Sequence, residues 1–263
     1  MNKNQVKAGL HLVNCTVWHK EKQQQQQDWI IEEQAVALVY NGISHVVMMA
    51  TPCDLLDFAI GFSLSEQIID KASDILDIEI ISCSAGIEVQ ITISSRLFSR
   101  LKSKRRSLAG NSGCGLCGVE SLKQTVKQHN ILSHNDNIAP SVVSSALIQF
   151  EQQQKLNQQA GSVHAAAFCS LQGEISLLRE DVGRHNALDK LIGALAAQAF
   201  TSKQGFVLVS SRASYEMVDK TIAAGISSLV SISGATSKAV QWARQHQLQL
   251  IGFARKDRQI IYC

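Results

Sequence analysis

The sequence predicts an α/β protein in two parts, a small α+β unit over residues 29–106 and a larger α/β unit from 107 to 263. Three observations carry this reading. From Phe206 to Phe253, short apolar runs alternate with amphipathic stretches, as in a βαβαβ arrangement with a parallel sheet buried on both faces. Between Ala35 and Met49, two β-prone runs flank Asn41-Gly42, a strong hairpin signal. Between these patterns lies the glycine-rich segment Asn111-Ser-Gly-Cys114-Gly-Leu-Cys117-Gly118, which opens the second unit.

With 45% hydrophobic and 18% charged residues over 263 positions, the chain can bury a sizeable core. Its two prolines, Pro52 and Pro140, argue against a linker-rich or disordered chain. A net charge of +3 argues against a nucleic-acid partner, while leaving room for a local anion site. No apolar stretch is long enough to span a bilayer, and the polar start leads into no secretory leader, so no membrane association is expected. The seven cysteines are irregularly spaced. Together these features suit a cytoplasmic protein with reduced thiols, in which a CxxC is reactive or metal-binding rather than a structural bridge.

The elements follow in order. Residues 1–28 are expected to form a flexible tail leading into a strand or loop, with Gln23 to Gln27 a solvated low-complexity run. After the 35–49 hairpin, Asp54 to Ile69 reads as an amphipathic helix, and Ile78 to Ser82 with Ile87 to Ile93 as a strand pair across Ala85-Gly86. The basic run Arg96, Arg100, Lys102, Lys104, Arg105 and Arg106 reads as a solvated helix end, or as a collar facing an anion beside the CxxC. Helices are expected at Val119 to His129 and at Ser141 to Gln158, the second started by Pro140. Gly161 to Cys169 is a strand or a glycine-led helix start. Leu191 to Phe200 is an apolar helix. Strands at Phe206–Ser210, Ser228–Ile232 and Leu248–Phe253 then enclose helices near Tyr215–Ala224 and Lys238–His246.

Ligands of a parallel sheet bind beyond the carboxyl ends of its strands. Three segments should gather there: Ser210-Ser211-Arg212, Ser233-Gly234-Ala235-Thr236-Ser237 and Phe253-Ala254-Arg255-Lys256-Asp257-Arg258. They supply hydroxyls and a cation, a glycine-led helix start suited to phosphate, and an aromatic face with basic groups suited to a nucleobase.

Cys114-Gly-Leu-Cys117 sits where glycine freedom, a following helix N-terminus and nearby cations favour thiolate. Three chemistries remain open to it: half of a zinc site, a disulfide oxidoreductase pair, or a sulfur relay in which one thiolate carries persulfide sulfur. A deaminase-type zinc site pairs H-x-E with P-C-x-x-C. Here Ala166 stands where the Glu would be, Gly113 stands where the Pro would be, and the two elements occur in reverse order.

The block Glu180-Asp-Val-Gly-Arg184-His185-Asn-Ala-Leu-Asp189-Lys190 is denser in polar groups than helix capping requires. Arg184 and His185 are candidate functional residues, and His185 with Asp189 has the spacing of a helical pair. His164 reads as a packed, satisfied histidine, and Cys15, Cys53, Cys83, Cys169 and Cys263 as core or incidental thiols.

Together these stretches resemble the FdhD family, the sulfur carriers needed to make formate dehydrogenase active. The matching segments are Pro52 with Phe58-Ala-Ile-Gly-Phe-Ser-Leu-Ser-Glu66, Cys114 to Gly118, Gly161 to Ala166, Glu180 to Lys190, Ser211 to Glu216, and Gly252 to Arg255. The resemblance implies a homodimer whose C-terminal part is a three-layer, cytidine-deaminase-like α/β domain. It implies that Cys114 accepts persulfide sulfur from a cysteine desulfurase, with Cys117 as its partner. The sulfur would pass to molybdenum bis(molybdopterin guanine dinucleotide), held as a client and not as a resident cofactor, before that group enters formate dehydrogenase. Phe253 to Arg258, with Ser210, Arg212, Ser233, Arg184 and His185, would bind the guanine nucleotide moiety, and no resident metal is expected. Two other readings are a cofactor chaperone that moves no sulfur and a zinc-dependent, deaminase-like hydrolase.

Overall fold

The computed structural model describes residues 8–109, 129–132, 137–198 and 205–263. Its larger sheet has six strands in the order β12-β11-β10-β9-β7-β8. They are β7 (His164–Ser170), β8 (Ile175–Asp181), β9 (Gly205–Val209), β10 (Ser228–Ser231), β11 (Gln249–Arg255) and β12 (Arg258–Ile261). Strands β9, β10 and β11 run parallel, as expected, and β7 and β12 are antiparallel to their neighbours.

Every residue of β9 and β10 is buried, because helices cover both faces. Val207, Val209, Leu229 and Leu250 point to one side, onto α5 (Arg184–Ala197), α6 (Tyr215–Ala223) and α7 (Ser237–Gln245). Phe206, Leu208, Val230 and Ile251 point to the other, onto Val143, Ala146 and Phe150 of α3 (Pro140–Gln153). The period-two alternation of each strand thus builds two cores and a three-layer α/β arrangement.

The smaller sheet has the order β4-β3-β6-β5. Its strands are β3 (Gln34–Tyr40), β4 (Ile43–Ala50), β5 (Ile75–Cys83) and β6 (Gly86–Ile93). Asn41 and Gly42 turn the β3–β4 hairpin with φ of 46° and 79°, the conformation that the Asn-Gly pair predicts. Val36, Leu38, Tyr40, Val89 and Ile91 form a core with α1 (Leu55–Ser65) and α2 (Ser95–Ala109).

Helix α1 then crosses α5. A Cβ on Gly61 would collide with the Asp189 carbonyl oxygen, and one on Gly193 with the Asp57 carbonyl oxygen. The two helix backbones meet where only glycine fits.

Several expectations are corrected. The segment read as a flexible tail forms, from Leu10, the hairpin β1 (Leu10–His19) and β2 (Lys22–Ile31). The glutamine run is solvated, but it is strand. The turn uses Lys20 and Glu21 at φ of 45° and 64°, residue types that carry no turn signature. The helix expected over Ser141 to Gln158 breaks at Gln154, whose ψ of 76° separates α3 from α4 (Lys155–Ala160). Gly161 to Cys169 resolves in favour of strand, β7. Strands β8 and β12 were not anticipated. The basic run lies on α2, where Arg100 is held by Asp70 at 3.0 Å and by the Ile68 carbonyl at 2.9 Å. The helix expected over Val119 to His129 lies outside the described residues except at His129.

Candidate functional site

The carboxyl ends of β8, β9 and β10 each feed directly into a helix, so α5, α6 and α7 all begin at one edge of the large sheet. Ser214 caps α6 by accepting the Met217 N–H at 3.4 Å, and Thr236 caps α7 by accepting the Ala239 N–H at 3.3 Å. Three helix N-termini therefore direct positive potential at the same edge.

The three segments expected there do meet. The Ala213 N–H donates to Gly234 O (3.1 Å) and the Thr236 N–H to Ala213 O (3.0 Å), while the Phe253 N–H donates to Ser233 O (3.0 Å). The Ser231 hydroxyl donates to Ser211 O and Ser233 O at 2.9 and 2.8 Å. Phe253 takes a φ of 48°, unusual for a bulky residue, and its ring lies against Gly234, where a Cβ would stand 2.8 Å from Cζ. The Arg258 guanidinium lies 5.5 Å from the centroid of that ring. Arg255, Lys256, Asp257 and Arg258 are exposed on the turn joining β11 to β12. Ala254 points the other way, into the core beneath α3. Arg212 is exposed, and Ser233 is half-buried.

His164 opens β7 at this same edge, with Nδ1 3.2 Å from Ser210 Oγ. Ser210 Oγ also accepts the Ala165 N–H at 3.0 Å. The single hydroxyl proton is then free to donate to Nδ1, which assigns an Nε2–H tautomer to a neutral His164. Burial, reinforced by the Arg184 guanidinium, holds the His164 pKa below its usual value. Arg184 is the first residue of α5, and its buried Nε has no hydrogen-bond partner among the described residues. His185 Nε2 lies 2.7 Å from Glu216 Oε2, close enough for an ion pair when the ring is protonated. Burial holds its pKa down all the same, with Glu216 pulling the other way.

The remaining polar groups of the 180–190 block are structural. Glu180 accepts the N–H groups of Leu156 and Asn157 at 2.9 and 2.8 Å, at the start of α4. Asp181 pairs with Lys190 at 2.7 Å and accepts the N–H groups of Thr51 and Gly183 at 3.0 and 2.7 Å. Asn186 bridges Asp181 Oδ1 and Met49 O, both at 2.9 Å. Asp189 does not pair with His185. It turns inward to Lys220 at 3.0 Å and to the Ser65 hydroxyl at 2.7 Å. The desolvated ammonium of Lys220 needs that carboxylate more than the half-exposed imidazole does.

Cys114, Cys117 and the side chains of Lys104, Arg105 and Arg106 lie outside the described residues. The chain leaves α2 at Ala109 and returns at His129, whose Nε2 is 2.7 Å from Asp219 Oδ1 on α6. The Trp242 indole N–H donates to the same oxygen at 3.2 Å. Among the other thiols, burial pushes Cys169 up to about 12 and also raises Cys53 and Cys263, so these three are poor nucleophiles. Ala166, at the position of a deaminase proton shuttle, is buried in the core.

Residues 31–263 match the model of the FdhD/NarQ family. The chain belongs to that family. Among FdhD/NarQ relatives, the sulfur carrier protein FdhD of Cupriavidus necator is 50% identical over 245 residues, covering 93% of this chain and 85% of the relative. The sulfur carrier protein FdhD of Acinetobacter baylyi is 49% identical over 236 residues, covering 89% and 86%. A crystal structure from Desulfotalea psychrophila, of a protein designated a formate dehydrogenase accessory protein, superposes with a TM-score of 0.75 at 20% identity, over 96% of each chain. It shows that the two share the fold. No helix among the described residues is long and apolar enough to cross a membrane.

Sequence reasoning placed Ser210, Ser233, Phe253 and Arg258 together at the edge, and it singled out Arg184 and His185. It read His164 as a packed, satisfied histidine, and the ring is half-buried with Nδ1 3.2 Å from Ser210 Oγ. Its place at the edge is topological: it opens an antiparallel strand whose first residue must fall at the carboxyl edge of β9.

Proposed function

We propose that this FdhD/NarQ protein is a sulfur carrier that activates formate dehydrogenase. The Cys114 thiolate attacks the outer sulfur of a persulfide on a cysteine desulfurase. A new S–S bond forms at Cys114, the old one breaks, and the desulfurase cysteine leaves as thiolate. Cys117 acts as the partner thiol. The sulfur is then delivered to molybdenum bis(molybdopterin guanine dinucleotide), the client. Its guanine would stack on Phe253, and its phosphates would lie toward the helix N-termini and Arg184, with Ser210, Arg212, Ser233, His185 and Arg258 around them.

One observation supports this above the others. An aromatic face flanked by a guanidinium lies on the same strand edge as three helix N-termini and a buried Arg184 Nε that has no partner among the described residues. That combination suits a purine joined to phosphates. The family membership supports the sulfur chemistry.

The test is formate dehydrogenase activity in a strain lacking its own carrier, complemented with this chain or with Cys114→Ala. The variant should fail to restore activity, and full restoration would reject the relay. Mass spectrometry after incubation with desulfurase and cysteine should find one added sulfur on the peptide containing Cys114. A chaperone that moves no sulfur would tolerate loss of both Cys114 and Cys117.

A further inference from the structure

Three side chains able to carry positive charge gather at the carboxyl edge of the large sheet: His164 at the start of β7, and Arg184 and His185 at the start of α5. The Arg184 guanidinium acts on both imidazoles, and His164 acts on His185. Little negative charge answers them. Asp181 lies opposite His164 in the strand register, but Lys190 and the N–H groups of Thr51 and Gly183 already engage it. Glu216 on α6 reaches His185, but its side chain is 64% exposed, where water and salt weaken its pull. Lys220, the other charge facing His185, adds to the repulsion and is itself paired with Asp189 and Glu66.

Two buried nitrogens of this cluster, Arg184 Nε and His185 Nε2, have no hydrogen-bond partner among the described residues. The second stands 2.7 Å from Glu216 Oε2, outside hydrogen-bond geometry. Buried polar atoms are normally satisfied, so two orphans at one sheet edge mark a place that an outside acceptor completes. At His164, Ser210 Oγ engages Nδ1 and leaves Nε2 available as a donor.

Without a ligand, burial and the Arg184 guanidinium hold both imidazoles below their ordinary pKa, so both are neutral at pH 7 and above. A docked phosphate reverses that balance. It brings opposite charge to each ring and accepts hydrogen bonds from the protonated form.

We propose that His164 and His185 select ligand charge at this edge: as ligand phosphates dock, the pair takes up a proton from solvent, so the site prefers diphosphates to uncharged nucleosides. This selection rests on the nucleotide-binding reading of the same edge. The only bonds that change are to hydrogen: a buffer acid or hydronium gives up its proton, and a neutral ring nitrogen receives it. Binding that takes up protons strengthens as pH falls, by at most about tenfold per pH unit for each proton. Between about pH 8 and about pH 6.5 the ligand's own charge changes little, because the second phosphate ionisation lies near pH 6.

Isothermal titration of the full chain tests this with guanosine diphosphate, inorganic pyrophosphate and guanosine, in phosphate-free buffers of different ionisation enthalpy. The dependence of the heat on the buffer counts the protons. The wild type should take up about one proton with either phosphorylated probe and none with guanosine. Affinity for guanosine diphosphate should rise about three- to tenfold from about pH 8 to about pH 6.5. His164→Gln and His185→Gln should each lower the proton count and flatten that rise, and the double variant should abolish both. A merely structural role would weaken binding without changing its pH profile. Histidine NMR of the wild type gives a second reading that needs no variant to bind: pyrophosphate should move a histidine titration midpoint upward. Guanosine diphosphate binding with no proton uptake and no pH dependence would overturn the selection and leave the nucleotide reading standing. Proton uptake that survives in the double variant would likewise overturn it. Pyrophosphate binding with proton uptake, but no tighter binding of guanosine diphosphate, would support the selection and count against guanine recognition. Binding of neither phosphorylated probe would overturn both.

Discussion

Lys190 and Asp181 form an ion pair of 2.7 Å in which neither side chain is accessible to solvent. The Lys190 ammonium also donates to the Thr51 carbonyl at 2.9 Å, and Asp181 accepts the Thr51 N–H at 3.0 Å. The pair thus ties the loop after β4 to the start of α5, across 130 residues of sequence.

Removing one partner leaves an uncompensated buried charge. Lys190→Met should destabilise the protein by about 3–5 kcal/mol. Lys190→Met combined with Asp181→Leu should lose less than the sum of the two single changes. Denaturant unfolding of the four proteins measures the coupling; equal, additive losses would count against a shared buried pair.

The glycine crossing makes a second prediction. Gly193→Ala places a methyl against the Asp57 carbonyl, and Gly61→Ala places one against the Asp189 carbonyl. Backbone must move in each case, so each change should cost about 1–3 kcal/mol or more. Gly42→Ala meets no atom within 4 Å, so its cost is limited to the strain of its φ of 79°. Thermal unfolding of the three variants should separate the two causes.

His164 sets a pH dependence. Its folded pKa lies below its usual value near 6.5, so the unfolded chain binds the proton more readily. Its contribution to stability is therefore complete above about pH 6.5 and is lost as pH falls through the folded pKa. His185 acts with the same sign. Glu180 acts oppositely, because burial raises its pKa; its contribution is lost as pH rises through that raised value. Denaturant midpoints of the wild type and of His164→Gln should converge on acidification below pH 6.5. A gap that widens there would refute the assignment of His164 as neutral.

Phe253 reports on the nucleotide site. Under the proposed function, Phe253→Ala should weaken binding of a guanine nucleoside diphosphate by roughly 10–100-fold, the worth of one stacked base, while Phe253→Tyr keeps most of it. Isothermal titration settles the comparison, and equal affinities for the wild type and Phe253→Ala would remove the ring from the site.

The parallel strands were readable in the sequence because burial on both faces leaves unbroken apolar runs such as Phe206 to Val209. The Asn41-Gly42 hairpin was readable because its turn chemistry is local. The first hairpin was not, since Lys20 and Glu21 adopt left-handed conformations that their side chains do not announce. Strand β8 was hidden because Arg179, Glu180 and Asp181 interrupt its apolar pattern.

That the segments following β9, β10 and β11 meet at one sheet edge was readable from topology alone. The roles of Asp181, Asp189 and Lys190 were not, because their partners Thr51, Ser65 and Lys220 come from distant segments that no periodicity connects. Most of the polar density of the 180–190 block therefore proved to be scaffold.

The contact of Gly61 with Asp189 and of Gly193 with Asp57 also constrains how this architecture can be recombined. A chimera that takes the first sheet from one relative and the second from another must inherit compatible residues at both crossing points. Breakpoints placed between α1 and α5 without that match would yield insoluble hybrids, however similar the two halves are to their parents.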